Sequence, residues 1–328
     1  MRCDMYFLAY VCIILKCVIY GSTIYFTSQL TQNVDVLDLL ALRFLLTFAL
    51  LWALKVTGVL KIRVGIKDFF REHDRKPFMK NLLLAALFEP VLYMLFETLG
   101  VSMSTNITAA VLISLSPISS CIIEEVFLKE RSTVLQKIFL ACGIFGVIYV
   151  AVNTDTVSGR DTVWGILFIL LSVASGSLFS AFSRKSSGKF NFLEITYFSS
   201  MLGALAFNSA NVVRHLISGD ILHYFDPYFV PENIVGFLFL GVVSSIMAVC
   251  MSNYALSKLQ LSTYAAFGGV STVVTIVIGM IFGGEILHSY HYIGLPFILL
   301  RMVGVSVIAI RKDRKKKEDA LQEQPSAV

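Results

Sequence analysis

Four ionisable side chains sit singly inside long apolar runs: Lys16 in "CIILKCVIY", Arg43 in "LALRFLL", Glu89 in "LFEPVLY" and Glu97 in "MLFETLG". Two adjacent acids, Glu124 and Glu125, follow in "SLSPISSCIIEEVFLKE", where Pro117 stands among four serines, and Arg301 interrupts the last apolar run. Cations and acids in such surroundings either pair with one another and fix the register of neighbouring segments, or line a wet cavity and hold a charged or zwitterionic solute. Glu89 has a further property. Pro90, next to it, removes a backbone donor and frees a carbonyl in the preceding turn, which only neighbouring groups or water can satisfy. An acid beside that break reads either as a cavity position able to take up a proton or as a salt-bridge partner of Lys16 or Arg43.

Other chemistry finds little support in the residues. The sequence has no GxxxxGK[ST] loop, HExxH or GxSxG, the patterns that carry phosphate, zinc or acyl-transfer chemistry. Six cysteines lie scattered in or beside apolar runs without metal-ligand spacing, as small buried hydrophobes do. The chain is therefore expected to be no enzyme, to carry no metal or cofactor, and to bind no nucleic acid.

The elements that must position these residues follow from composition. Of 328 residues, 56% are hydrophobic and 15% charged, with a mean hydropathy of +0.77; soluble domains carry about 25% charged residues. A bilayer-spanning helix needs about 20 mostly apolar residues. Ten stretches qualify, at 6–26, 36–54, 81–99, 106–127, 134–152, 162–183, 193–213, 233–255, 263–283 and 291–310. With the N-terminus inside, 22 of the 27 Lys and Arg fall on the cytoplasmic side, and only Arg160 and Arg214 on the other. That asymmetry orients the chain with both termini cytoplasmic. The tail, 311–328, opens with "RKDRKKKED" and reads as a lipid or partner site, or as a stop-transfer anchor.

Shifted on itself by about 155 residues, the sequence aligns Gly21 with Gly176 and Glu130 with Glu285. Each unit then has five spans, and an odd number forces the second unit to lie upside down. Inverted repeats of this kind build secondary transporters, with solute bound near the midplane.

The details of each half resemble the EamA family of the drug/metabolite transporter superfamily. The likeness runs from about 6 to 310 and rests on "LALRFLL" with Arg43, "TLGVSMSTNITAAVLISLSP" with Pro117, "LKERST" with Glu130, and "CGIFGVIYVAV". In the second half it rests on "YALSKLQLSTYAAF", "GGE" with Glu285, and "RMVGVSVIAI". The chain departs where Thr272 replaces a second-half proline and where Phe198 answers Arg43. The resemblance implies an all-α integral membrane protein: ten helices in two inverted units, 6–152 and 162–310, with helices 5 and 10 outside the pathway. It implies passage of small metabolites across a bacterial plasma membrane; the inverted repeat points to alternating access, and with no ATP-binding motif the coupling is to a proton or counter-solute, or the passage is uniport. No oligomeric state follows.

Within that frame Lys16 lies halfway along helix 1 and is expected to border the pathway. Glu97 follows Glu89 by two turns, displaced by roughly 80° on an ideal helix, and is expected at the outer mouth rather than at the same site. Pro117 is expected to bend helix 4, its serines bonding freed carbonyls, and Pro90 to bend helix 3. Glu130, about 20 Å beyond Pro117 at 1.5 Å per residue, reaches the cytoplasmic surface; of Glu124 and Glu125, one meets the basic rim of Lys129, Arg131 and Lys137 and the other faces an inner vestibule. Tyr10, Tyr20 and Tyr93 are candidate lining residues, and mixed buried charge favours amino-acid-like solutes. The rival expectation is a non-transporting sensor or scaffold acting through its basic tail.

Overall fold

The computed structural model describes residues 2–59, 76–123, 125–126, 133–153, 162–186, 192–248, 251, 255 and 268–322, and among them the secondary structure is helical throughout. The helices are α1 (Arg2–Leu30), α2 (Val36–Val56), α3 (Lys76–Ala86), α4 (Tyr93–Ser102), α5 (Asn106–Ile113), α6 (Ser116–Ile123), α7 (Val134–Asn153), α8 (Val163–Ser186), α9 (Phe192–Ser218), α10 (Asp226–Phe229), α11 (Pro231–Leu238), α12 (Gly268–Ile281) and α13 (Ser289–Gln322). Local chemistry sets several boundaries. Asp35 caps α2 by accepting from Leu37 N at 2.9 Å, and Thr105 caps α5 by accepting from Thr108 N at 3.2 Å, each satisfying a donor that the first turn leaves free.

Two helices are interrupted by π-helical turns. Leu87–Leu92 joins α3 to α4, and Phe239–Met247 continues α11. In the first, Glu89 is extended (φ −142°, ψ 118°) and its peptide bond to Pro90 is cis. In the second, Ser244 and Ser245 both donate to Leu240 O at 2.8 Å.

Among the described residues, length and apolarity alone identify fewer crossings than the ten expected. Phe7–Leu30, Val36–Val56 and Lys80–Ser102 each suffice to cross a membrane, and Ile221–Phe229 with Pro231–Met247 forms a pair bent by 82°. Asn106–Ser120, Val134–Val150, Val163–Phe179 and Gly269–Ile281 are apolar but shorter. Within the described residues, the break at Ser114–Leu115 divides one expected span into the shorter helices α5 and α6, whereas α7 and α8 run to 20 and 24 residues.

Packing across the middle of the chain is antiparallel. Along α2 and α9, Asp38 meets Asn211 and Arg214, Phe44 meets Phe207, and Phe48 meets Tyr197. Asn106 at the start of α5 adjoins Gly279 and Gly283, whereas Ala110 packs in one cluster with Ile276 of α12. α7 and α13 approach closely enough to require glycine: a Cβ on Gly146 would lie 2.7 Å from Gly294 O, and one on Gly143 2.1 Å from Arg301 Cδ. Small residues let backbones come together where lipid offers no hydrophobic drive. The outer faces carry exposed apolar groups such as Ile144, Phe145 and Ile148 on α7, which suits a chain whose surroundings are hydrocarbon.

Candidate solute cavity

A cavity of about 360 Å³ lies between α1, α2, α4, α5, α6, α8 and α12. Arg43 reaches it from α2, Glu89 from the π-helical break and Glu97 from α4. A second compartment of about 260 Å³ shares Tyr20, Arg43, Glu89 and Met94 with the first and adds residues of α9 and of the second π-helical turn. Among the described residues, neither α7 nor α13 contributes to either lining.

Arg43 is 5% exposed. Its Nη2 donates to Ser244 Oγ at 3.4 Å and its Nε has no hydrogen-bond partner. A buried guanidinium with an unused donor is costly unless something completes it. On the opposing wall Tyr93 Oη donates to Glu97 Oε1 at 2.8 Å, which fixes that carboxylate and leaves its remaining oxygen for another donor. The hydroxyl lining is mostly satisfied internally. Thr275 donates to Gly21 O at 2.8 Å, Ser177 to Val173 O at 3.0 Å and Thr23 to Tyr20 O at 2.7 Å. The charge-bearing groups in this lining are Arg43, Glu89 and Glu97.

Of the residues singled out from sequence, Arg43, Glu89 and Glu97 come together. Glu97 shares this cavity with Glu89 instead of occupying a separate site. The angular offset between the two acids was drawn for an unbroken α-helix, and the extended backbone at Glu89 removes that premise. Tyr20 and Tyr93 line the cavity; Tyr10 is 40% exposed and does not. Lys16 is half-buried one turn from Tyr20, its Nζ 4.6 Å from that ring's centroid, and is not itself in the lining. Pro90 lines the smaller compartment.

Pro117 follows a helix break at Ser114–Leu115, and Ser116 donates to Ile113 O at 2.5 Å, the carbonyl that a proline at 117 leaves without its usual donor. Ser120 donates to Ser177 at 3.3 Å across to α8. Glu125 pairs with Lys137 at 3.1 Å, on a surface where both are well exposed. Glu124 and Glu130 lie outside the described residues. Glu285 accepts from Asn106 N (2.7 Å), Ile107 N (2.9 Å) and Asn106 Nδ2 (2.6 Å), so it caps α5 from across the molecule. Arg301 is 1% exposed and its side chain fills the space over Gly143.

One cluster was missed from sequence. Asp38 accepts from Asn211 Nδ2 (2.9 Å) and Arg214 Nη2 (2.6 Å), and lies 2.8 Å from His215 Nε2. Arg214 also meets Asp35 at 2.7 Å, and His215 Nδ1 lies 3.0 Å from Asp220. Asp38 in "VLDLLALRF" and the pair Asn211 and His215, four apart on one helix face, were the available signals. His215 lies beyond the expected seventh span, and its hydrogen bond to Asp38 raises its pKa above the ordinary imidazole value, helped by the charges of Asp38 and Asp220.

The EamA-like transporter family model matches residues 7–152 and 163–307. The chain belongs to the EamA-like transporter family. It is 30% identical over 307 residues to "Uncharacterized transporter YcxC" of Bacillus subtilis, covering 94% of this chain and 95% of that one. It is 24% identical over 225 residues to an "Uncharacterized transporter" of Archaeoglobus fulgidus, covering 68% and 75% respectively. A solved structure called "Crystal structure of protein" superposes with a TM-score of 0.58 over 95% of this chain and 99% of its own, at 16% identity, a likeness of fold. This EamA-like chain is thus a multi-pass integral membrane protein of a transporter family, with a charged cavity among its helices.

Proposed function

We propose that this protein is a secondary carrier for small polar or amphipathic solutes, with amino-acid-like zwitterions favoured. The observation that carries this reading is the convergence of Arg43, Glu89 and Glu97 on one buried cavity. A solute carboxylate completes the unused Nε of Arg43, and a solute ammonium meets Glu97 or Glu89. With all three ionised the cavity holds one net negative charge. A zwitterion leaves that charge unchanged, and a proton on one acid cancels it, so proton coupling through Glu89 or Glu97 fits the charge count. A counter-solute is the alternative coupling partner.

The proposed motion is one five-helix unit, 6–152, rocking against the other, 162–310, as inverted repeats do. Three pairs of corresponding helices support the inversion, since α2 and α9, α5 and α12, and α7 and α13 are each antiparallel. The two π-helical turns fall in corresponding third spans of the units, which supports it further. Both termini and the basic tail are assigned to the cytoplasmic side of a bacterial plasma membrane, on the basis of the Lys and Arg distribution.

Counterflow into liposomes tests the reading. Purified protein loaded with unlabelled alanine, leucine or phenylalanine accumulates the labelled solute transiently, and Arg43→Gln abolishes this. No counterflow of any zwitterion by inserted wild-type protein overturns it. Preserved function in the Arg43 variant with loss on removal of 311–328 favours a tail-borne sensor or scaffold instead.

A further inference from the structure

The two compartments differ in what they can still bond. In the smaller one, Thr47 donates to Gly241 O at 3.0 Å, and Ser244 and Ser245 are committed to Leu240 O. Phe44, Pro90, Phe179 and Ile195 supply carbon to the same lining. Ser199 and Ser200 bring two further hydroxyls to this compartment. Ser199 is 8% exposed, lines this compartment, and its Oγ has no hydrogen-bond partner. Ile195, Thr196, Ser199 and Ser200 occupy one face of α9, as positions i, i+1, i+4 and i+5 must.

Resting on the carrier reading above, we propose that the site is bipartite. Arg43 and Glu89, on the wall common to both compartments, hold the solute's charged head, and the α9 compartment takes its tail and selects for it. A cavity of about 150 Å³ lined by apolar groups accommodates benzene, so the roughly 260 Å³ here admits a ring or a branched aliphatic chain. Burying such a tail is favourable at about 25 cal/mol per Å². Ser199 adds discrimination, because a buried hydroxyl left without a partner favours a tail that brings one hydrogen-bonding group. The favoured solute class is an amphipathic zwitterion with an apolar or aromatic tail carrying a single polar atom.

The test measures apparent affinity for glycine, alanine, phenylalanine and tyrosine by competition counterflow in liposomes, with two variants. Ser200→Leu fills the compartment from α9. It is expected to weaken phenylalanine and tyrosine at least tenfold more than glycine and alanine, with a thermal unfolding midpoint close to wild type reporting that the variant is folded. Ser199→Ala removes only the hydroxyl and is expected to cut the preference for tyrosine over phenylalanine about fivefold. Equal loss for all four solutes in Ser200→Leu, or no loss for the large ones, overturns the bipartite site, as does an unchanged tyrosine-to-phenylalanine ratio in Ser199→Ala. Wild-type protein that carries none of the four overturns the carrier reading itself.

Discussion

Replacing Asp38 by alanine removes one carboxylate and strands three donors unequally. Arg214 is 30% exposed and keeps Asp35 at 2.7 Å, so solvent and its second partner hold its loss to about 0.5 kcal/mol. His215, with 6% of its side chain exposed, keeps Asp220 at 3.0 Å but loses the carboxylate at Nε2, at about 1–2 kcal/mol. Asn211 is fully buried and its amide nitrogen loses the Asp38 acceptor, at about 1–2 kcal/mol for an abandoned donor. The expected total is about 3 kcal/mol, or roughly 6–12 °C in melting temperature at about 2–4 °C per kcal/mol.

The same site gives a pH signature. A neutral imidazole donates from one nitrogen only, and the imidazolium from both, so bridging Asp38 and Asp220 favours the charged form. Since folding raises the His215 pKa from 6.5, the contribution is complete below about pH 6.5 and is lost as pH climbs through the raised value. Thermal unfolding of detergent-solubilised protein across that range is therefore expected to show falling stability in the wild type and a flatter profile in His215→Gln. A cost below about 1 kcal/mol for Asp38→Ala, or an unchanged pH profile in His215→Gln, refutes the reasoning.

Three further outcomes follow from the geometry. Glu285→Gln puts an amide where two backbone N–H groups point, and is expected to cost about 1–2 kcal/mol in thermal unfolding; Glu285→Asp, with one methylene less, also loses part of the cap. Gly143→Ala brings a methyl to 2.1 Å from Arg301 Cδ, forcing that buried side chain to shift. It is expected to destabilise by about 1–3 kcal/mol while leaving apparent solute affinity unchanged, because α7 and α13 stand off the cavity. Tyr93→Phe releases Glu97 from its 2.8 Å hydrogen bond and is expected to weaken zwitterion affinity about tenfold in counterflow competition, with a melting temperature close to wild type.

The sequence made the charged walls of the cavity legible for a simple reason. A lone Arg43 or Glu89 in an apolar run is expensive enough to demand an aqueous or polar setting, and both side chains line the cavity. Contacts between distant segments were not legible. Glu285 finds the start of α5 at 179 residues' separation, and Asp38 reaches Asn211 at 173. Pairing of that kind depends on which helix lies beside which, and periodicity within one helix carries no such information. Lys16 illustrates the converse error. It was expected to border the pathway, but Tyr20, one turn on, occupies the lining, with Lys16 Nζ 4.6 Å from that ring's centroid.

The two prolines separate a bend from a site. In hydrocarbon, any backbone group released from a helix must find a partner. At Pro117 the partner is local, because Ser116 takes up Ile113 O within the same turn, and the break is chemically closed. At Glu89 the chain leaves helical geometry altogether, and the acid at that point borders both compartments. A closed break bends a helix and needs nothing more. At Glu89 the break instead places a carboxyl side chain on the wall of both compartments, within reach of a solute or water. The sequence distinguishes the two cases only through the neighbours of each proline: serines that can serve the backbone beside Pro117, and beside Pro90 a carboxylate with only Phe88 and Leu87 before it.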